Sequence, residues 1–130
     1  MDSTGVKQVI VMRSDLSMRR GKQIAQGAHA AMKVFLDRKI QGSDPNMLTI
    51  PMTEDMAAWV NGQFTKICVR VNSKEELLDI YNKAVEKGLP CAIIEDQGHT
   101  EFKEPTLTCC SIGPAKAELI DEITGKLSLL

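Results

Sequence analysis

Four polar side chains able to do chemistry are spaced along one segment of the sequence as on a single face of a helix. The intervals between them are four, three and four residues: Lys22, Gln26, His29 and Lys33. Residues three or four apart are neighbours on a helix, so these would form one continuous stripe. An ammonium, an amide and an imidazole in line can hold an anion, stabilise developing charge or move a proton. A solvated helix face has the same pattern, and spacing alone leaves both interpretations open.

A strand and a helix are predicted to position this stripe. Residues 9–12 form a continuous apolar run, which is typical of a strand buried on both faces. Residues 21–39 follow as a long helix, because their apolar residues recur at helical intervals. On the side opposite the stripe this helix carries an apolar set: Ile24, Ala28, Ala31, Met32 and Phe35.

The rest of the chain is predicted to complete an α/β fold. Helices are expected over 53–61, from the Ser73 cap to Gly88, and over 114–123 with Pro114 at an early helical position. Three further strands are expected over 66–71, 91–94 and 107–112. The loop 96–105 has no room for a crossover helix, so the fourth strand should run antiparallel. We therefore predict one domain over residues 1–130, a three-layer α/β/α domain with a four-stranded mixed sheet.

This fold brings residues that are distant in sequence to one edge of the sheet. Functional groups of open α/β sheets lie beyond the carboxyl ends of the parallel strands. Arg13 leaves the first strand at that edge, and Asp96 leaves the third. The antiparallel strand brings Thr106 and Thr108 to it, and the first helix begins there with Lys22. The polar stripe therefore starts where a site is expected.

Composition limits the classes of protein that the chain can represent. The net charge is −1, from 16 basic and 17 acidic residues, which excludes a polycationic tail but permits a local basic patch. An aromatic content of 4% disfavours a surface that stacks many single-stranded bases. No apolar run reaches the ~20 residues of a membrane span, and the N-terminal residues lack a signal-peptide stretch. We therefore expect a cytoplasmic protein.

Motifs for metal binding and for two common catalytic loops are absent from the sequence. The cysteines form no CxxC pair and lie far from both histidines, so we expect no metal ion or other cofactor. We expect all four thiols to be free, reduced and buried: Cys68, Cys91, Cys109 and Cys110. A phosphate-binding loop would need glycine in place of Leu16 and serine or threonine in place of Gln23. No GxSxG serine elbow occurs.

Three motifs in order span nearly the whole chain. The first comprises residues 9–18 with Gly21-Lys22, Ala25-Gln26 and His29-Ala30-Ala31. The second is Glu95-Asp96-Gln97-Gly98-His99-Thr100, and the third is Thr108 with Ile112-Gly113-Pro114, Leu119-Ile120-Asp121 and Thr124-Gly125. Together they resemble the peptidyl-tRNA hydrolases of the archaeal and eukaryotic type, the second family of these enzymes. The second motif is similar to that family's Asp-x-Gly-x-Thr loop.

The sequence departs from this family pattern at a few places. Residues 40–60 are longer than the usual connection, and Arg19 and Arg20 replace a more glycine-rich pair. Gln97 stands where a small residue is common, and Ser111 stands where glycine is common. None of these is a candidate catalytic position, but the longer segment could alter substrate access or dimer contacts.

The resemblance implies a reaction and a set of residues. Family members hydrolyse the ester that joins a peptide to the terminal ribose of tRNA, and they are often homodimers. Carried over position by position, the active region comprises Lys22, Gln26, His29, Asp96, Thr100 and Thr108. No metal ion and no covalent intermediate is demanded.

The roles of these residues follow from what ester hydrolysis requires, an oriented water and a stabilised oxyanion. Asp96 is the best candidate to orient or deprotonate the water. Lys22 can hold the oxyanion or a phosphate, and sequence does not separate the two. Thr100 and Thr108 supply orientable hydroxyls, and His29 would bind tRNA or move a proton.

The expected partner is peptidyl-tRNA, bound by a basic rim at the same edge of the sheet: Arg13, Arg19, Arg20 and Lys33. Recognition should depend mostly on the tRNA backbone and shape. Two other functions stay open, a catalytically silent tRNA- or protein-binding relative and a generic α/β regulatory module. The presence of both Lys22 and Asp96 favours the enzyme.

Overall fold

A computed structural model describes residues 5–130 of the protein as four helices and six strands. Residues 1–4 lie outside the described residues. The predicted domain begins there, and so does the N-terminal stretch that lacks signal-peptide character. The strands are β1 (Val6–Arg13), β2 (Ile40–Gln41), β3 (Leu48–Thr49), β4 (Lys66–Val71), β5 (Cys91–Asp96) and β6 (Thr106–Lys116). The helices are α1 (Arg20–Leu36), α2 (Glu54–Val60), α3 (Lys74–Glu86) and α4 (Ala117–Thr124).

A four-stranded mixed sheet in the order β4-β1-β6-β5 organises these elements. β1 and β4 pair in parallel, and β6 pairs antiparallel with both β1 and β5. The prediction of an antiparallel fourth strand is therefore confirmed. That strand lies between β1 and β5, so the carboxyl ends of β1, β4 and β5 share one edge with the start of β6.

Helices cover both faces of the sheet, which confirms the predicted three-layer α/β/α fold. One face packs against α3 and α4 through a core that includes Val11, Leu77, Ile112 and Ile120. On the other face, Ala30 of α1 packs with a smaller buried group: Ile10, Met12, Met18, Ile94 and Cys109. Within residues 5–130, no helix is long and apolar enough to cross a membrane.

The apolar set of α1 is not the side that packs on the sheet. The buried residues of α1 are Gln26, Gly27, Ala30 and Val34, whereas Ile24 is 66% exposed and Met32 is 60% exposed. Small residues face the sheet because α1 approaches β1 closely. A Cβ added to Gly27 would lie 3.7 Å from the Ile10 side chain. The orientation of α1 about its own axis therefore buries Gln26, one member of the polar stripe.

The last helix is present as α4, but its predicted start at residue 114 is wrong. Pro114 lies in β6, which continues to Lys116 because it pairs with the start of β1. The β1–β6 register is irregular between Lys7 and Val9, and Pro114 lies opposite this irregularity. A residue without an N–H is tolerated at such a place in a sheet.

Two further expectations need correction. The connection after α1 contains a short antiparallel hairpin of β2 and β3 that the sequence analysis did not predict. The thiol of Cys68 is exposed, because β4 is not covered by a helix on the α1 face. Cys91 is only half-buried, while Cys109 and Cys110 are buried as expected.

Candidate active site

An ion pair between Lys22 and Asp96 forms the centre of the candidate site. Lys22 lies in the first turn of α1, and Asp96 is the last residue of β5. The Lys22 Nζ atom donates a hydrogen bond to Asp96 Oδ1 at 2.5 Å, and each side chain is 11% exposed. The same ammonium donates to the Thr100 hydroxyl. The fold therefore brings together a cation, a carboxylate and a hydroxyl at the predicted edge of the sheet.

The loop after β5 holds the second carboxylate oxygen of Asp96. The backbone N–H of Gly98 donates to Asp96 Oδ2 at 3.0 Å. Gly98 has a φ of +86°, and a Cβ at this position would lie 2.8 Å from the backbone of Glu104. Only glycine fits this turn without strain, so the glycine of the second motif keeps the carboxylate turned toward Lys22.

A buried amide and hydroxyl support the carboxylate from beneath. The Thr108 hydroxyl donates to Gln26 Oε1 at 2.5 Å, which leaves Gln26 Nε2 facing Asp96 Oδ1 at 3.5 Å. Both Gln26 and Thr108 are buried. Because a buried amide needs partners for its polar atoms, this pairing fixes which end of the Gln26 amide faces Asp96.

The electrostatics of the site keep Asp96 ionised. The hydrogen bond from Lys22 is the largest of the effects that lower the pKa of Asp96 below its usual value. Burial opposes this shift, while the Gly98 N–H and the charges of Lys22 and His99 assist it. A carboxylate with a lowered pKa stays negative at neutral pH, so it can accept a hydrogen bond from a water molecule there.

Replacing Lys22 by methionine should raise the pKa of Asp96. The substitution removes the largest cause of the lowered pKa and keeps the burial that opposes it.

In the unchanged protein the pKa of Asp96 is lower in the folded state than in the unfolded state. The ion pair therefore contributes stability above the unfolded pKa of about 3.9, and this is lost as pH falls through the folded pKa.

A carbon-13 titration of the Asp96 carboxyl measures this shift directly. The matched control is Lys33→Met, which breaks an exposed pair with Asp37 on the same helix and should leave the Asp96 titration unchanged. An Asp96 midpoint that is equal in Lys22→Met and in the unchanged protein would refute the electrostatic role of Lys22.

Five of the six predicted catalytic residues are joined by hydrogen bonds: Lys22, Gln26, Asp96, Thr100 and Thr108. His29 is the exception, since within residues 5–130 it makes no hydrogen bond to this group. It lies exposed on α1 beside a hollow that Ile94 and Lys33 also line.

The predicted basic rim is only partly available to a ligand. Arg13 is 11% exposed, pairs with Asp15 at 2.6 Å and donates to the Leu107 carbonyl. Lys33 pairs with Asp37 at 2.8 Å. Arg19 is 89% exposed, with its Nε 3.6 Å from Glu101, and Arg20 is also exposed. Arg19 and Arg20 are therefore the rim residues best placed to meet an external anion.

Phe102 is a residue near the site that the sequence analysis missed. It lies in the loop 96–105, yet its half-buried side chain packs against the core under α1. The Lys22 Nζ atom lies 5.7 Å from the centre of its ring, within the range of a cation–π contact. A lone aromatic residue in a polar loop was the signal that could have revealed it.

A carboxylate, an ammonium and hydroxyls at the edge of an α/β sheet are groups with which a hydrolase can orient water and stabilise an oxyanion. A family model described as "Peptidyl-tRNA hydrolase PTH2" matches residues 6–130. The chain therefore belongs to the PTH2 family of peptidyl-tRNA hydrolases, which confirms the resemblance.

Archaeal relatives agree over almost the whole length. A peptidyl-tRNA hydrolase of Methanocaldococcus jannaschii is 48% identical over 125 residues, which cover 96% of this chain and 100% of that protein. A peptidyl-tRNA hydrolase of Sulfurisphaera tokodaii is 45% identical over 95% of this chain and 98% of that protein. One of Sulfolobus acidocaldarius is 41% identical over 96% of this chain and 100% of that protein.

Proposed function

We propose that this protein hydrolyses the ester bond of peptidyl-tRNA and releases free peptide and tRNA. The observation that carries the proposal is the Lys22–Asp96 pair, which supplies a cation and a carboxylate 2.5 Å apart in a chain of this family. A catalytically silent relative is not favoured. A protein that only binds tRNA or another protein would not use a mostly covered ammonium–carboxylate pair at the open edge of the sheet.

The proposed reaction is a single attack of water on the ester carbonyl. Asp96 orients the water and accepts its proton as the bond from oxygen to the carbonyl carbon forms. The Lys22 ammonium, with Thr100 beside it, meets the negative charge that develops on the carbonyl oxygen. The bond to the ribose oxygen then breaks, and the proton held by Asp96 passes to that oxygen. Gln26 and Thr108 keep Asp96 in position throughout.

Peptide release by the purified protein is the direct test of this function. Because the proposed steps use only groups of the chain, we expect release from a peptidyl-tRNA to continue at an unchanged rate in excess EDTA. Activity that disappears with the chelator and returns with added zinc would contradict the mechanism. No release under any condition would contradict the function itself.

We also propose that Arg19 and Arg20 bind tRNA phosphates. Replacing both by alanine should weaken tRNA binding more than it slows single-turnover hydrolysis. It should also reduce the slope of log Kd against log salt by roughly 1 to 2, as expected for two lost phosphate contacts. The matched control replaces Lys83 of α3 and Lys87, which caps the C-terminus of that helix, on the opposite face of the sheet. An unchanged slope of log Kd against log salt in the Arg19/Arg20 variant would exclude phosphate binding by these two residues.

The expected homodimer and cytoplasmic location stay predictions. Exposed apolar side chains on α1, among them Ile24 and Met32, are consistent with a protein interface. Sedimentation equilibrium would give the mass in solution.

A further inference from the structure

The two edges of the main sheet differ in how they are covered. Along the outer edge of β4, Val69 pairs with Leu129 in an antiparallel bridge. The Arg70 N–H donates to the Ser128 carbonyl at 3.0 Å, and the Leu130 N–H donates to the Cys68 carbonyl at 3.1 Å. The opposite edge, β5, pairs only with β6 within residues 5–130. The fold thus protects one edge and leaves the edge that ends at Asp96 open.

The backbone groups that point outward from β5 follow from its register. The Gly113 N–H donates to the Pro90 carbonyl at 2.7 Å, and Cys91 is opposite Ile112 in the β5–β6 pairing. Hydrogen-bonded and non-hydrogen-bonded pairs alternate between antiparallel strands. The N–H and C=O groups of Cys91 and Ile93 therefore point away from the sheet. Such a row of backbone groups is a template for an added extended chain.

A hollow lies beside this edge, and His29 is one of the residues that line it. It has a volume of about 330 Å³ between α1 and β5. Its lining is mainly apolar, with two basic side chains: Ala28, His29, Met32, Lys33, Leu36 and Ile94. Ile94 is two residues before Asp96 on the same face of β5, because side chains alternate along a strand. Side chains of a chain added along β5 would enter this hollow at alternate positions.

We propose that the peptide part of peptidyl-tRNA binds as an extended strand along the open edge of β5, a proposal that rests on the proposed function. The ester carbonyl is the C-terminal end of the peptide and has to lie at Asp96, where β5 also ends. The bound peptide therefore runs parallel to β5. Recognition through backbone hydrogen bonds is independent of side-chain identity, which suits a substrate whose peptide sequence varies.

A series of defined peptidyl-tRNAs tests the proposal without altering the protein. The value of kcat/KM should rise with peptide length until the peptide reaches the start of β5, about four or five residues at ~3.3 Å per residue, and then level off. N-methylation of single peptide amides should lower kcat/KM by up to about tenfold at every second position only. The positions between them serve as internal controls.

Substitution at the start of β5 supplies an independent test. Cys91→Pro removes an outward N–H and leaves the pairing with β6 intact, and Cys91→Ala is the control that keeps the N–H. Cys91→Pro should raise KM for peptides of five residues but not for a single acylated residue, which does not reach Cys91. A general folding defect would lower the activity on both substrates. In that case the series of peptidyl-tRNAs with the unchanged protein decides whether the peptide binds along β5.

Two results would overturn the proposal. Equal kcat/KM for all peptide lengths, or N-methyl effects without a period of two, would exclude binding along β5 while leaving the hydrolase function standing. Failure to release any peptide from any peptidyl-tRNA would instead overturn the proposed function, and this inference with it.

Discussion

Asp96→Asn is expected to lower single-turnover hydrolysis of peptidyl-tRNA by a factor on the order of a hundred or more. Asparagine keeps the size of the side chain and can still accept the hydrogen bond from Lys22. It cannot take a proton from the attacking water. With its amide oxygen toward Lys22 and Gln26, asparagine keeps the contacts made by Asp96 Oδ1 and loses only the hydrogen bond that Oδ2 accepts from the Gly98 N–H. Single-turnover rates under saturating enzyme measure the chemical step.

The matched control for this prediction is Asp37→Asn. Asp37 forms an ion pair with Lys33 at 2.8 Å on the surface. It is not one of the residues joined by hydrogen bonds around Asp96. We expect this control to hydrolyse at the normal rate and to lose no more than about 1 kcal/mol of stability. Asp96→Asn should lose more stability than the control, because it breaks a mostly covered ion pair. If Asp96 were only half of a structural ion pair, Asp96→Asn would lower the melting temperature and leave the rate of the folded protein near normal.

Lys22→Met is the second change with a large expected effect. Methionine keeps an apolar stem of similar length and is a good helix former, but it removes the ammonium. If Lys22 meets the developing oxyanion, kcat should fall by a factor on the order of a hundred with little change in KM. If it holds a tRNA phosphate instead, KM should rise with little change in kcat.

The control Lys33→Met removes a cation from the same helix at an exposed ion pair. It should leave kcat near normal, because Lys33 makes no hydrogen bond to the Asp96 group within the described residues. A Lys22→Met variant with near-normal kcat and KM would remove Lys22 from the site, even in a protein that proves to be a peptidyl-tRNA hydrolase.

Much of the candidate site could be predicted because it depends on local rules. The interval of four residues places Lys22 and Gln26 on one side of any helix. The end of an apolar strand places Asp96 at the carboxyl edge of the sheet. The length of the loop after Asp96 indicated an antiparallel β6, which carries Thr108 back to that edge. None of these inferences needs the packing of the helices.

The features that could not be predicted depend on how distant elements pack. Gln26 and His29 belong to the same stripe, yet one is buried and the other exposed. The close approach of α1 to β1 sets this rotation, and the absence of a side chain at Gly27 and the small methyl group of Ala30 permit it. Phe102 packs beneath Lys22 although its neighbours in sequence are polar.

The sequence by itself determined the α/β class and which residue types meet at the edge of the sheet, because helical and strand periodicities act over short distances. The resemblance of its three motifs indicated the family. Only the tertiary structure decided that Pro114 continues β6, since pairing with β1 outweighs the local signal for a helix start. It also decided which edge of the sheet is covered. Residues 128–130 lie along β4 and leave β5 open, and the pairing of segments far apart in sequence has no local signature.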